Sequence, residues 1–391
     1  MTTRLLIVQF AGDFREAWRL REETGTETYY GHGYILDQLA GFAAEFGEAA
    51  FLCALAEPYS ERLPSGATVI GAGGNPYRDP KPVIDAIARF APTHLIVHGP
   101  MTPLLRWGMR RGLAVGCVMA DSFHANPLRR WWQFGRLAHW LNDPAVTLVA
   151  NHGVNAAQGL TRLGVRADKV IAWDFPHQRT PEQQPVRATR GGRACDLLYV
   201  GSVEEKKGVG DLIEAVARLR VRFDARLRIA GSGKLDTFRA QAAKLGVAEH
   251  VTFLGLVPNA QVPALMREAD LVVVPSRHAF PEGLPLTLYE ALASRTPTVA
   301  SDHPMFAGHL IDGESAAIFR GGDGEALAER IAVVLEDPAL YARLSQGSAE
   351  AWHRMQLPVK WGEMIRRWVR GTPDDRAWLA AHTLAALEPR R

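Results

Sequence analysis

The chain has 391 residues, 47% apolar and 22% charged, and its 45 basic and 42 acidic side chains nearly cancel to a formal charge of +3. That length exceeds what one hydrophobic core usually serves, so two domains are expected, while the small net charge gives no argument for a nucleic-acid partner. Cys53, Cys117 and Cys195 are too few and too widely spaced for a disulfide framework or a Cys-x2-Cys metal site, and read as buried packing residues.

Residues 5–8, Leu-Leu-Ile-Val, predict the first buried strand and exclude a signal peptide there; no run of about 18 apolar residues exists to span a bilayer. The protein is therefore expected to be cytoplasmic, or attached to a membrane only from that side. A long polar loop is expected next, carrying Gly12, Asp13, Arg15, Glu16, Arg19, Arg21, Glu22 and Glu23, before a helix that opens near Gly31. Loops leaving the carboxyl ends of strands line the crevice of a doubly wound sheet, so this insertion lies where a substrate would be.

Strands are predicted over 49–54, 68–70, 94–100, 115–120, 146–151 and 169–173, with a helix over 82–90. Gly71-Ala72-Gly73-Gly74 opens no helix because Asn75-Pro76 interrupts it, which argues against a dinucleotide fingerprint. Arg106, Trp107, Arg110 and Arg111 precede a stretch with Arg129, Arg130, Trp131, Trp132 and Arg136. Aromatic residues interleaved with arginines can seat in an anionic headgroup layer; the plain alternative is an amphipathic helix with its tryptophans packed inward.

Residues 180–193 are rich in Pro, Gln, Arg and Gly without apolar period and read as a linker. Beyond them strands at 196–200, 227–230, 250–253, 271–274, 298–302 and 317–319 alternate with helices at 209–219, 234–245 and 262–269, the pattern of a parallel sheet covered on both faces. Gly231-Ser232-Gly233-Lys234 lacks the upstream Gly and following Ser or Thr of a P-loop, which removes a kinase or ATPase reading. The stretch from Leu271 to Ala293 is a buried strand, a polar loop with Glu282 and Gly283, and a helix with Pro285 near its start. Backbone N–H groups at such a helix start favour a phosphate, and two carboxylates nearby, Glu282 and Glu290, suit sugar hydroxyls.

Pro-Ser-x5-Glu-Gly-Leu-Pro-x4-Glu-Ala, with its Glu-x7-Glu spacing, resembles the donor-binding motif of the retaining nucleotide-sugar glycosyltransferases of family 4. The resemblance covers most of residues 195–337 and implies the GT-B fold: α/β, with two Rossmann-like domains facing each other across a crevice and a C-terminal helix crossing back to the first. It divides the chain into an acceptor-side domain at 1–180, the linker at 181–193, a donor-binding domain at 194–352 and returning helices at 353–391.

The resemblance also implies roles. Glu282 would contact the donor sugar and Glu290 the ribose, with Gly283, Leu284 and Pro285 near sugar and phosphates. Gly201-Ser202-Val203-Glu204-Glu205-Lys206-Lys207-Gly208 resembles the family's Gly-Arg-x4-Lys-Gly loop, so Lys207 would hold the leaving diphosphate. Ser202 stands where the Arg usually is, with Lys206 or Arg277 as candidate replacements. Gly231 and Gly233 would lie beside the donor, and Val257 in the segment bordering the nucleobase. In the first domain Gly31 keeps one of a Gly-Gly pair that approaches the diphosphate, and His98-Gly99 resembles the strand-end His-Gly. Ala120 replaces the His of a His-Asp pair, leaving Asp121 and His124 as candidates.

No Asp-x-Asp occurs, and charge stabilisation by Lys207 and helix N-termini favours a site without metal; no cofactor is expected beyond a nucleoside diphosphate sugar as substrate. The acceptor would be a glycan or a lipid-linked hydroxyl. Ser202 and Ala120 keep open a catalytically silent protein of the same fold that binds a nucleotide sugar or a membrane partner.

Overall fold

The computed structural model describes residues 3–27, 30–123, 134–188 and 194–387. The chain forms two compact units, one from residues 1–175 and 357–391, the other from Pro176–Gln356.

The first unit holds an 8-stranded sheet in the order β3-β4-β2-β1-β5-β6-β7-β8. Its strands are β1 (Thr3–Gln9), β2 (Gly47–Cys53), β3 (Tyr59–Arg62), β4 (Thr68–Gly71), β5 (His94–His98), β6 (Ala114–Met119), β7 (Val146–His152) and β8 (Val170–Trp173). All neighbours pair parallel except β3, which runs antiparallel to β4 at the edge. Leu5, Leu6, Ile7 and Val8 are fully buried, as a central parallel strand covered on both faces requires. Cys53, Cys117 and Cys195 are all buried.

The polar stretch after β1 is a helix, Phe14–Thr24, where a loop was expected. Asp13 caps it by accepting from the amides of Arg15 and Glu16, and Gly25 closes it in the left-handed region. Only Phe14 is buried, packed 4.1 Å from Phe51, so the remaining positions stay polar and mask the helical period. Arg19 pairs with Glu16 and Glu61, and Arg21 with Asp37. The helix that follows, Tyr30–Phe46, contains Gly31 in its first turn.

The chain returns to the first unit at Leu357 and adds the helices Trp361–Arg370, Pro373–Ala381 and Leu384–Leu387. Asp174, just past β8, pins the return: its amide donates to Val359 O, its carbonyl accepts from the Trp361 amide, and its carboxylate faces Lys360 at 3.4 Å. Among the described residues no helix is long and apolar enough to cross a membrane.

The second unit holds a 6-stranded sheet in the order β11-β10-β9-β12-β13-β14. Its strands are β9 (Ala194–Val200), β10 (Asp224–Ala230), β11 (Val251–Gly255), β12 (Leu271–Val274), β13 (Thr298–Ser301) and β14 (Ala317–Phe319), all parallel. Chain order reverses between β9 and β12, which makes the carboxyl ends of these two strands the topological switch point. Residues 180–188, in the stretch expected as a linker, hydrogen-bond within this unit: Arg187 Nη1 donates to Arg267 O at 3.0 Å, and Arg295 Nε donates to Pro181 O at 3.0 Å.

The loops at the switch point are bound together backbone to backbone. Val203 N donates to Ser232 O and Lys234 N to Val203 O, both at 2.8 Å, so the loops after β9 and β10 run side by side. Gly231 permits this: its φ is +148°, and a Cβ there would lie 1.8 Å from Gly201 O. Gly231→Ala is expected to lower stability by about 1–3 kcal/mol. Urea titration of wild type and variant checks it, and equal midpoints would show that the loops can separate without cost.

Candidate functional site

Lys207 and Glu282 meet at the switch point. Lys207 ends the loop after β9, immediately before Gly208 and the helix Val209–Leu219. Glu282 lies in the loop after β12, before the helix Leu286–Ala293, which Pro285 opens in extended conformation. The loops approach closely because Gly208, at φ +75°, sits where a Cβ would be 2.1 Å from Pro275 O. The Lys207 ammonium donates to Glu282 Oε1 and lies 4.2 Å from the centroid of the Phe280 ring. Glu282 is 6% exposed, and its Oε2 is buried without a hydrogen-bond partner among the described residues. A carboxylate oxygen in that condition is costly unless a donor group arrives to satisfy it.

Around the pair the groups are largely committed. Arg277 Nε donates to Asp211 Oδ2 at 2.8 Å, and its Nη2 reaches Asp211 Oδ1 at 2.5 Å and Glu205 Oε1 at 2.6 Å. Its guanidinium, proposed from sequence as a replacement cation, is thus held by two carboxylates. Ser202 Oγ bonds Glu204 Oε1 at 3.1 Å, so the position where a guanidinium was expected faces a carboxylate. The Ser202 carbonyl accepts from Tyr199 Oη at 2.7 Å; burial, then the charges of Glu282 and Glu204, push that phenol well above its usual range. Lys206 is exposed, and its carbonyl accepts from the Arg277 amide at 2.9 Å.

Gly283, Leu284 and Pro285 link Glu282 to the helix start, and Leu284 is buried. On that helix Glu290 is 14% exposed; its Oε1 accepts from Asn259 Nδ2 at 2.8 Å and from Arg179 Nη1 at 3.4 Å. Gly201 and Gly231 stand at the ends of β9 and β10, and Gly233 follows, pairing with Val203. Val257 is partly buried beyond β11. Asn259, Arg179, Asp211 and Phe280 escaped the sequence reading, since their only signal is contact with residues 31 to 111 positions away or, for Phe280, a ring under a lysine.

His98 and Asp121 belong to the first unit, at the carboxyl ends of the adjacent strands β5 and β6. Burial, and then nearby His152, push the His98 imidazole down to about 4, which keeps it neutral at neutral pH. His98 lies 6.2 Å from the Trp173 ring, on which His152 stacks at 4.7 Å while bonding Asp174 at 3.1 Å. Asn151 holds Asp121 through both backbone groups, accepting from its amide and donating to its carbonyl. Burial pushes the Asp121 carboxyl up to about 6.

His124, Arg129, Arg130, Trp131 and Trp132 lie outside the described residues. Arg136 is exposed, as are Arg106, Arg110 and Arg111; Arg106 lies over the Trp140 ring at 4.9 Å and Arg111 over Trp107 at 5.0 Å.

The second unit thus carries Lys207, the carboxylates Glu282 and Glu290 and two helix starts at the switch point of a parallel sheet. Residues 186–351 match the family model described as glycosyl transferases group 1. The chain is 30% identical over 286 residues to EpsD of Bacillus subtilis (strain 168), a protein assigned as a glycosyltransferase, covering 69% of this chain and 74% of that one. It is 35% identical over 172 residues to the phosphatidyl-myo-inositol mannosyltransferase of Mycobacterium leprae (strain TN), 44% of this chain and 45% of that protein. Anabaena HepE, solved in complex with UDP-glucose, superposes with a TM-score of 0.67 at 16% identity, over 95% of this chain and 99% of that chain. The chain belongs to the group 1 glycosyltransferases, and its fold is GT-B.

Two outcomes follow from this geometry. Arg277→Ala strands the buried Asp211 carboxylate and is expected to lower stability by about 2–3 kcal/mol in urea titration; a variant as stable as wild type would mean that Asp211 needs no counter-charge. Asp121 has a raised pKa in the folded state, so its contribution is fully present below the ordinary value of 3.8 and is lost as pH rises through about 6. Asp121→Asn should remove that falling limb from the pH–stability curve, and identical curves would contradict the burial of the carboxyl.

Proposed function

We propose that the chain transfers a sugar from a nucleoside diphosphate sugar to an acceptor hydroxyl, with retention of configuration and without a bound metal. The observation that carries this reading is the Lys207–Glu282 pair at the switch point, with Glu282 Oε2 buried and unpartnered. The solved complex of HepE with UDP-glucose supports the donor class.

In this reading the sugar's hydroxyls satisfy Glu282 Oε2, and Glu290, steadied by Asn259 and Arg179, takes the ribose hydroxyls. As the glycosidic bond breaks, negative charge grows on the departing diphosphate. Lys207 and the positive ends of the helices Val209–Leu219 and Leu286–Ala293 stabilise that charge, the service a metal ion performs elsewhere. The departing phosphate takes the acceptor's proton as the new bond forms on the same face. His98, neutral, and Asp121 are first-unit candidates for sugar and acceptor contacts. The acceptor is a glycan or a lipid-linked hydroxyl, and the exposed Arg106, Arg110, Arg111 and Arg136 suit an anionic membrane surface on the cytoplasmic side. The lipid named in the mannosyltransferase relative supports such an acceptor.

Ser202 favours a second reading, a nucleotide-sugar-binding protein without turnover, because Glu204 occupies its hydroxyl where a second cation would stand. Binding and turnover measured together separate the two. UDP, GDP, ADP and dTDP, then their sugars, are screened by thermal shift and calorimetry on wild type and Lys207→Ala. One nucleotide should stabilise the wild type and lose most of its effect in the variant. Glu282→Ala should reduce transfer about 100-fold or more. Binding without transfer in the wild type would favour the silent reading, no binding would overturn both, and unchanged kinetics in either variant would remove that residue's role.

A further inference from the structure

We infer that His303 is a positioning residue for the donor sugar, holding the Phe280–Glu282 turn through a fixed neutral tautomer. This rests on the donor reading of the Lys207–Glu282 site and extends it to a residue that no part of the motif reaches.

His303 follows β13 and is 1% exposed. Its Nδ1 accepts from the Met305 amide at 3.2 Å, and its Nε2 lies 3.2 Å from Phe280 O. A backbone N–H can only donate and a carbonyl oxygen can only accept, so Nδ1 carries the lone pair and Nε2 the proton. No other neutral or charged form satisfies both contacts. Burial favours this state by holding the imidazole below its ordinary pKa, with the charge of Glu282 opposing and those of His278 and Lys207 adding. The Phe306 ring backs the imidazole at 5.1 Å.

Phe280 is the residue through which this anchor acts. Its carbonyl, which accepts from His303 Nε2–H, also accepts from the Glu282 amide at 2.8 Å, closing a tight turn that sets the carboxylate's direction. Its amide is tied to Arg277 O at 2.9 Å, and its ring lies under the Lys207 ammonium. Without the Nε2–H bond the carbonyl loses one of its two donors and the turn can rotate. Glu282, bound directly to that carbonyl, moves most; Lys207, whose own amide is tied to Glu204 O at 3.1 Å, moves less. His303 touches no reacting atom in this account, and its effect falls on recognition of the sugar.

The test compares calorimetric dissociation constants for a nucleoside diphosphate and its nucleotide sugar on wild type, His303→Phe and His303→Gln. Phe fills the ring's space with neither bond, whereas Gln can return an N–H to Phe280 O. His303→Phe is expected to weaken the nucleotide sugar about tenfold while leaving the nucleoside diphosphate within about twofold, and His303→Gln to recover most of the loss. Equal affinities across the three proteins, or an equal loss for both ligands, would overturn the role. Should His303→Phe fail to fold, the 15N shifts of His303 in the wild type decide: a protonated Nε2 with a bare Nδ1 supports the role, and the opposite tautomer overturns it. A wild type that binds no nucleotide overturns the donor reading and this role together, which distinguishes that failure from one confined to His303.

Discussion

The ion pair between Lys207 and Glu282 is the interaction on which the second unit's functional end depends. Taking an ammonium and a carboxylate out of water costs several kcal/mol per ion, and mutual attraction offsets this only when the remaining lone pairs and protons are also satisfied. Here one carboxylate oxygen is bound by the lysine and the other is buried with no partner among the described residues. A stability role alone does not account for such a half-satisfied pair. A ligand that brings hydroxyl donors to Oε2 and negative charge to the ammonium satisfies both halves.

The surrounding backbone keeps this pair in place. Parallel strand order 3-2-1-4-5-6 in the second sheet sends the loops after β9 and β12 to opposite sides of one crevice, and Gly208 and Gly231 let those loops touch neighbours at distances that any Cβ would block. Arg277, Asp211 and Glu205 then lock the base of the Glu282 loop to the helix behind Lys207. His303 fastens the turn from the β13 side. The site is thus rigid where it must aim two side chains, and its charges are arranged before any substrate arrives.

Much of this was legible in the sequence where the signal is local. The continuous apolar run at 271–274, the strand expected at 298–302 and the helical spacing at 209–219 reappear as strands and a helix with nearly the same bounds. Glu282, Lys207 and Glu290 stand at fixed spacing from glycines and prolines, so the motif alone singled them out. The helix Phe14–Thr24 was hidden because it buries one residue and leaves no apolar stripe; its capping Asp13 and terminal Gly25 were the available signals. Asn259, Arg179, Asp211 and His303 were hidden for another reason. Each acts through a partner far along the chain, and only the folded sheet brings them together.

In the proposed transfer Glu282 Oε2 and Lys207 together receive the sugar and the diphosphate of one donor. The most direct measurement is a crystal structure of this chain bound to its nucleoside diphosphate sugar. The account predicts a sugar hydroxyl within hydrogen-bond distance of Glu282 Oε2, a phosphate oxygen on Lys207 Nζ and the ribose against Glu290. A donor bound elsewhere, or one that leaves Glu282 Oε2 unpartnered, would contradict it.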